Sequence, residues 1–138
     1  MKVLVDTSVW SLALRKKANR DDAIIKELYE LVHEMRVIMI GPIRQEILSG
    51  ISDIKKYEQL RDRLRSCEDV PLETGHYELA SQLFNQCRKQ GIQGSRIDFI
   101  ICAVCMIHNL PVFTLDKDFE KYKKFIEIKL YAARKDIW

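Results

Sequence analysis

Short apolar segments alternate with longer segments of helical periodicity along the whole sequence. Three of these segments, residues 1–5, 36–40 and 111–115, are nearly continuous in apolar residues instead of alternating with polar ones. A strand that is apolar on both sides is buried on both faces, which is typical of a parallel sheet covered by helices. The pattern therefore predicts an α/β fold, a three-layer α/β/α sandwich around a short parallel β-sheet.

Helical periodicity fills the intervals between these predicted strands. After Asp21 and Asp22, apolar residues recur at helical spacing, and this helix is predicted to run to about Met35. A helix is also expected directly after Asp6. Further helices are predicted over residues 43–51, 55–67, 73–90, 95–108 and 116–125, with a minor strand at 69–72 and a last strand at 126–130. No repeat or linker divides the sequence, so a single domain over residues 1–138 is expected.

The composition is typical of a folded domain. Of the 138 residues, 47% are hydrophobic and 31% are charged. Disordered chains instead have few hydrophobic residues and charges mainly of one sign, so this composition excludes that class. The apolar runs are well short of the roughly 20 residues that a bilayer requires, so neither a signal peptide nor a membrane span is expected. Four cysteines without a secretory signal indicate reduced thiols, which predicts a cytoplasmic protein. The net charge of +3 identifies no partner by itself.

Acidic residues follow the predicted strands at positions where parallel sheets bind ligands. Four of them lie just past a strand end or in the first turns of a helix: Asp6, Glu46, Asp98 and Asp116. Ligands of such sheets bind outside the carboxyl ends of the strands. We therefore expect these carboxylates, although they come from distant segments, to converge on one edge of the sheet.

Helix capping is the alternative interpretation of most of these acids. Asp6 and Asp116 can cap helices, and Ser95 with Asp98 fits a capping box. Glu46 satisfies no cap, because it falls inside a predicted helix. Unrelated caps have no reason to gather at strand ends, so the joint pattern favours a common site.

Converging carboxylates repel one another and persist only with a cation or with shared protons. Mg²⁺ and Mn²⁺ prefer oxygen ligands, and no His or Cys adjoins these acids in sequence to indicate zinc. Divalent cations held by carboxylates are typical of phosphodiester hydrolysis. Four hydroxyl residues are expected to support the site: Thr7, Ser8, Ser95 and Thr114. Three basic residues near the acids in sequence are predicted to contact the phosphates of such a substrate: Arg44, Arg96 and Lys117.

Four blocks of the sequence resemble the PIN domain family, and more closely its VapC-type toxins: VLVDTSVW, IRQEILSGI, GSRIDFIICAVC and LPVFTLDKDF. The resemblance covers nearly the whole chain. It implies that the family's catalytic and metal-binding acids correspond to Asp6, Glu46, Asp98 and Asp116, with Asp118 as a less uniform metal ligand. It also implies a Mg²⁺- or Mn²⁺-dependent endoribonuclease, a homodimer, and inhibition by a cognate VapB-like antitoxin. The antitoxin is expected to insert an Arg or Lys near the acids.

Two other functions remain as alternatives. A haloacid-dehalogenase-like phosphatase also begins with an Asp after its first strand, but Asp6-Thr7-Ser8 lacks the second Asp that this chemistry needs. A non-catalytic PIN-fold RNA-binding or scaffolding domain is expected to lose one or more acids, and none is lost here.

Several other residues with potential chemistry are predicted to be structural or to serve a partner. Cys102 and Cys105 lie within the most apolar helix without a second pair at zinc spacing, which favours core packing. The scattered histidines are assigned no catalytic role: His33, His76 and His108. One wall of an antitoxin groove is expected in the segment after Asp6, with these side chains: Trp10, Leu12 and Leu14.

Overall fold

The computed structural model describes residues 1–134, so the last four residues of the predicted domain, 135–138, lie outside the described residues. The described strands are β1 (Val3–Val5), β2 (Val37–Met39), β3 (Glu68–Asp69), β4 (Pro111–Phe113) and β5 (Lys129–Leu130). The described helices are α1 (Thr7–Ala13), α2 (Ala23–His33), α3 (Gly41–Leu48), α4 (Ile54–Leu64), α5 (Thr74–Lys89), α6 (Arg96–His108) and α7 (Asp118–Lys123).

The five strands form one parallel sheet in the order β3-β2-β1-β4-β5. Val3 of β1 pairs with Val37 of β2, and Leu4 of β1 pairs with Val112 of β4. Every residue of these three strands is buried, as their continuous apolar composition predicts. The predicted three-layer α/β/α sandwich with a short parallel sheet is confirmed.

Several predicted helices differ from the observed ones at their ends, each for a local reason. α2 ends two residues before Met35, because Met35 has a left-handed φ of 57° that turns the chain into β2. α3 begins at Gly41 and ends at Leu48, since Ser49 is extended and Gly50 has a φ of 90°. The helix predicted over 116–125 begins only at Asp118, because the preceding residues form a turn.

The last predicted strand, over 126–130, is also shorter than expected. Only Lys129 and Leu130 pair with β4, at the edge of the sheet. The apolar residues before them, Ile126 and Ile128, are buried without joining the sheet. Burial alone therefore accounts for their apolar character.

The core lies on both sides of the sheet and includes the cysteines of α6. Cys102 and Cys105 are buried, as predicted, and burial raises the pKa of Cys105 to about 12. Both are therefore protonated thiols in the core, with no reactive thiolate. Within residues 1–134, none of the helices combines the length and apolar character that crossing a bilayer requires.

A buried carboxylate on α2 holds the C-terminal end of the described chain. Glu27 is buried and accepts hydrogen bonds from Tyr131 Oη at 3.1 Å and Arg134 Nη2 at 2.8 Å. Burial acts to raise the pKa of Glu27, but the hydrogen bonds from Arg134 and Tyr131 outweigh it and lower the pKa. Glu27 is therefore ionised, and its charge is paired.

Candidate metal centre

The order of the strands brings four acids from separate segments to one cavity. β1 lies between β2 and β4, so the residues that follow these three strands meet at one edge of the sheet. Asp6 follows β1, Asp116 comes after β4, Glu46 lies on the helix after β2, and Asp98 lies in the first turn of α6. All four line a cavity of about 680 Å³. The expected convergence of these carboxylates is thus observed.

Three carboxylates are close enough to share one cation. Oxygen atoms of Asp98, Asp116 and Asp118 all lie within 4.8 Å of one another. Asp118 enters this group from the first turn of α7 but is not part of the cavity lining. Asp6 and Glu46 line the same cavity outside this group. The arrangement therefore offers a three-carboxylate site with two further acids nearby.

Hydroxyl groups hold Asp6 in a defined orientation. Ser8 Oγ donates to Asp6 Oδ2 at 2.7 Å, and Thr114 Oγ1 donates to the same oxygen at 2.8 Å. Neither donor occupies Oδ1. Asp6 stands at the N-cap position of α1, yet its side chain makes no capping hydrogen bond, so capping does not explain this residue.

The same two hydroxyls connect Asp6 to the segment after β4. Ser8 Oγ accepts the N–H of Leu115 and Thr114 Oγ1 accepts the N–H of Asp116, both at 3.0 Å. Because both hydroxyls donate and accept, they join the ends of neighbouring strands. Ser8 and Thr114 therefore contact both Asp6 and the segment that carries Asp116.

Asp98 is held by contacts from two elements. Its N–H donates to Ser95 Oγ at 3.1 Å, which is one half of the predicted capping box. Its carboxylate instead accepts a hydrogen bond from Tyr122 Oη at 2.6 Å. Burial raises the pKa of Asp98, the hydrogen bond from Tyr122 opposes that effect, and the charges of Asp116 and Asp6 raise the pKa further. A carboxylate in this environment favours a proton or a cation.

The donor atoms around the cavity suit a hard divalent cation. Besides the four acids, the lining carries hydroxyl and amide side chains: Thr7, Ser8, Ser11, Gln45, Ser49 and Ser95. Within residues 1–134, no His or Cys belongs to this lining. In the same part of the chain, Thr7 Oγ1 is a buried oxygen with no hydrogen-bond partner. An all-oxygen donor set of this kind fits Mg²⁺ or Mn²⁺ better than zinc.

The three predicted RNA contacts are not brought together at the cavity. Arg44 Nη2 instead pairs with both carboxylate oxygens of Asp69 at 2.8 Å and 2.9 Å, which directs the guanidinium away from the acids. Arg96 is exposed and lines a separate groove of about 480 Å³ between α5 and α6. Lys117 is exposed beside Asp116.

The predicted wall of an antitoxin groove is only partly present. Trp10 has 7% of its surface exposed and packs in the core, so the expectation that it walls an open groove is wrong. Leu12 is half-buried against the same core, whereas Leu14 is exposed. The indole is buried because α1 packs against α2 and α3.

Sequence reasoning missed two pairs of residues. Tyr122 lies 24 positions from the Asp98 carboxylate that it contacts, and local periodicity gives no signal for such a bond. His76 and His108 lie with their Nε2 atoms 2.9 Å apart, and the backbone N–H of Glu73 donates to His76 Nδ1 at 2.9 Å. His76 Nδ1 is thus an acceptor for the backbone, and the two rings are hydrogen-bonded to each other.

Comparisons with known proteins place this fold in a family. The PIN domain model matches residues 3–125. The structure of FitAcB from Neisseria gonorrhoeae is similar at a TM-score of 0.75 and 21% identity, covering 95% of this chain and 97% of that chain. The structure of VapBC2 from Rickettsia felis bound to a promoter DNA fragment is similar at a TM-score of 0.72 and 18% identity, covering 95% of this chain and 98% of that chain.

Further comparisons agree on the fold. DNA-bound VapBC from Salmonella typhimurium gives a TM-score of 0.71 at 13% identity, with 95% of this chain and 97% of that chain covered. Among curated proteins, no relative matches the sequence. Because the family match spans most of the chain and coincides with the observed fold, the chain belongs to the PIN domain family.

Proposed function

We propose that this chain is a Mg²⁺- or Mn²⁺-dependent endoribonuclease and the toxin component of a VapBC-like toxin–antitoxin pair. The observation that carries the proposal is the cavity in which four carboxylates from separate segments meet. Membership of the PIN domain family supports a nuclease, and the similarity in fold to the VapBC structures supports the toxin role.

The charge of the cavity explains why a cation is needed. The lining carries four carboxylates and no basic side chain within residues 1–134, so it repels an RNA phosphate. Asp98, Asp116 and Asp118 would hold the cation, with Asp6 and Glu46 nearby. A Mg²⁺ or Mn²⁺ held by these residues would activate water and neutralise charge on the phosphate.

The residues of the chain prepare this site before RNA arrives. Ser8 and Thr114 fix the orientation of Asp6, and Ser95 fixes the start of α6, which carries Asp98. Preorganised ligands of this kind spare the reaction the free energy of ordering them. Glu46 is exposed on α3, where it adds a carboxylate that water reaches.

A partner that covers the cavity follows from this function. A ribonuclease in the cytoplasm that produced it damages its host unless its site is blocked. An Arg or Lys from a VapB-like antitoxin can pair with the carboxylates in the place of the cation, through charge-assisted hydrogen bonds. Antitoxin binding is therefore expected to compete with Mg²⁺ or Mn²⁺. We also propose that residues 1–138 act as one domain and that the toxin is a homodimer.

The direct test is RNA cleavage by purified protein with and without divalent cation. Cleavage is expected with Mg²⁺ or Mn²⁺, and EDTA should abolish it. Asp6→Asn keeps the shape of the residue and should reduce cleavage at least about 10²-fold. Asp21→Asn, a change at an exposed acid outside the cavity, is the matched control and should leave cleavage unchanged.

Two outcomes would contradict the proposal. Cleavage that persists in EDTA, in protein free of contaminating nucleases, would exclude the metal-dependent mechanism. RNA binding without cleavage, equally strong in the wild-type protein and in Asp6→Asn, would instead favour the alternative of a non-catalytic RNA-binding or scaffolding domain.

A further inference from the structure

A buried tyrosine contacts one of the cavity carboxylates from the core. Tyr122 on α7 is fully buried, and its Oη donates a hydrogen bond to Asp98 Oδ2 at 2.6 Å. Its ring packs against Phe99 and Phe119, with centroid distances of 4.8 Å and 5.3 Å. Burial, and then the hydrogen bond to Asp98, raises the pKa of Tyr122, so the phenol keeps its proton and remains a donor.

Gly94 provides the space that the Tyr122 hydroxyl occupies. A Cβ atom at position 94 would lie 2.7 Å from Tyr122 Cζ and 2.9 Å from Phe99 Cε2, and closer still to the hydroxyl oxygen. Any larger residue at this position must therefore displace the tyrosine. Gly94 directly precedes Ser95, which accepts the N–H of Asp98. One short segment thus fixes the backbone of Asp98 and makes room for the group that contacts its carboxylate.

Asp98 and Asp6 are held in the same way. Ser8 and Thr114 donate to Oδ2 of Asp6, and Tyr122 donates to Oδ2 of Asp98. In neither residue do these donors occupy Oδ1, which stays available to a cation. Hydrogen bonds that orient metal ligands are typically worth about 10–100-fold in metal affinity.

We propose that Tyr122, seated over Gly94, is a positioning residue that orients the Asp98 carboxylate toward a divalent cation. This inference rests on the proposed metal-dependent function, because Tyr122 acts only through Asp98. A phenylalanine ring would fill the same space against Phe99 and Phe119 but would donate no hydrogen bond. Removal of the hydroxyl alone therefore separates positioning from core packing.

The test compares the Mn²⁺ affinity of metal-free wild-type protein and Tyr122→Phe, measured by electron paramagnetic resonance titration. The variant should bind Mn²⁺ about 10–100-fold more weakly, and its RNA cleavage should recover as Mn²⁺ is increased. Tyr131→Phe is the matched control, because Tyr131 also donates to a buried carboxylate, that of Glu27, outside the cavity. It should bind Mn²⁺ as the wild-type protein does.

Equal Mn²⁺ affinity in Tyr122→Phe and the wild-type protein would overturn the proposal, even if cleavage fell. A second measurement uses only the wild-type protein, so it does not require that Tyr122→Phe folds. In wild-type protein labelled with ¹³C at tyrosine Cζ, Mg²⁺ should shift the Tyr122 resonance, because Asp98 then shares its charge with the cation. The Tyr131 resonance should not move.

The outcomes separate this inference from the function on which it rests. If the wild-type protein binds Mn²⁺ and cleaves RNA but Mg²⁺ does not shift its Tyr122 resonance, only the role of Tyr122 is overturned. A wild-type protein that binds neither Mg²⁺ nor Mn²⁺ would overturn both proposals.

Discussion

Thr114 Oγ1 donates a hydrogen bond to Asp6 Oδ2 at 2.8 Å and so joins two residues 108 positions apart in sequence. The same hydroxyl accepts the N–H of Asp116 at 3.0 Å. One side chain therefore contacts two of the acids that line the cavity, at the ends of the neighbouring strands β1 and β4. A group that both donates and accepts here has no apolar substitute, since its loss breaks both hydrogen bonds.

Thr114→Val is predicted to weaken both the metal site and the fold. Valine matches the shape of threonine but neither donates to Asp6 nor accepts from Asp116. Mn²⁺ affinity should fall about 10–100-fold, and the free energy of unfolding should fall by about 1–3 kcal/mol. Titration with Mn²⁺ and urea denaturation measure the two effects. Thr114→Ser keeps the hydroxyl and serves as control, and a Thr114→Val protein with the affinity of the serine variant would refute the prediction.

Asp98→Asn is predicted to stabilise the metal-free protein while it abolishes stabilisation by metal. Burial and the neighbouring charges of Asp116 and Asp6 raise the pKa of Asp98 above its ordinary value of 3.8. The ionised carboxylate thus destabilises the fold at neutral pH, and this effect disappears as the pH falls below the ordinary value. In EDTA at pH 7 the variant should therefore melt at a higher temperature than the wild-type protein.

Added Mg²⁺ should reverse the order of the two proteins. Mg²⁺ is expected to raise the melting temperature of the wild-type protein, because it binds only the folded state, and to leave Asp98→Asn unchanged. Asp21→Asn is the control and should behave as the wild-type protein does under both conditions. A lower melting temperature of Asp98→Asn in EDTA would show that Asp98 contributes favourably to the fold without metal.

Glu27→Gln is predicted to lower the free energy of unfolding more at neutral pH than at acidic pH. The hydrogen bonds from Arg134 and Tyr131 lower the pKa of Glu27 below its ordinary value of 4.5 despite its burial. A lowered carboxyl pKa contributes stability that is fully present above the ordinary value and is lost as the pH falls through the folded value. The wild-type protein should exceed Glu27→Gln by about 2 kcal/mol in unfolding free energy at pH 7.

This difference should be fully present at neutral pH and shrink as the pH falls through about 4.5, the ordinary value at which the unfolded carboxyl is half protonated. Urea denaturation between neutral and acidic pH measures it. Glu30→Gln, an exposed acid on the same helix, is the control. A difference independent of pH would mean that the charge of Glu27 does not hold the C-terminal segment.

The three basic residues close to the acids in sequence are predicted to differ in RNA binding. Arg96 and Lys117 are exposed. For each phosphate contact that Arg96→Ala or Lys117→Ala removes, the slope of log affinity against log salt concentration should become shallower by about one unit. Arg44 is engaged by Asp69, so Arg44→Ala should leave the salt dependence unchanged. The slopes are measured in proteins that also carry the catalytically inactivating change Asp6→Asn, so that the RNA is not cleaved. Unchanged slopes for Arg96→Ala and Lys117→Ala would assign both to the solvated surface.

The sequence by itself determined the class of the fold and which four acids line the cavity. β1, β2 and β4 were predicted because a strand covered on both faces must be apolar at nearly every position, and this property is local. The four cavity acids are predicted from their positions just past a strand end or in the first turns of a helix, because the carboxyl ends of parallel strands lie at a common edge. Helix ends were predicted less well, since they depend on single residues such as Met35 with its left-handed backbone.

Only the tertiary structure decided which side chains touch. The position of β1 between β2 and β4 places Thr114 against Asp6, and the packing of α7 on α6 places Tyr122 against Asp98. Arg44, two residues from Glu46 on α3, instead pairs with Asp69, 25 residues away in sequence. Local periodicity reports which face of an element is buried, whereas these contacts depend on how distant elements pack against one another.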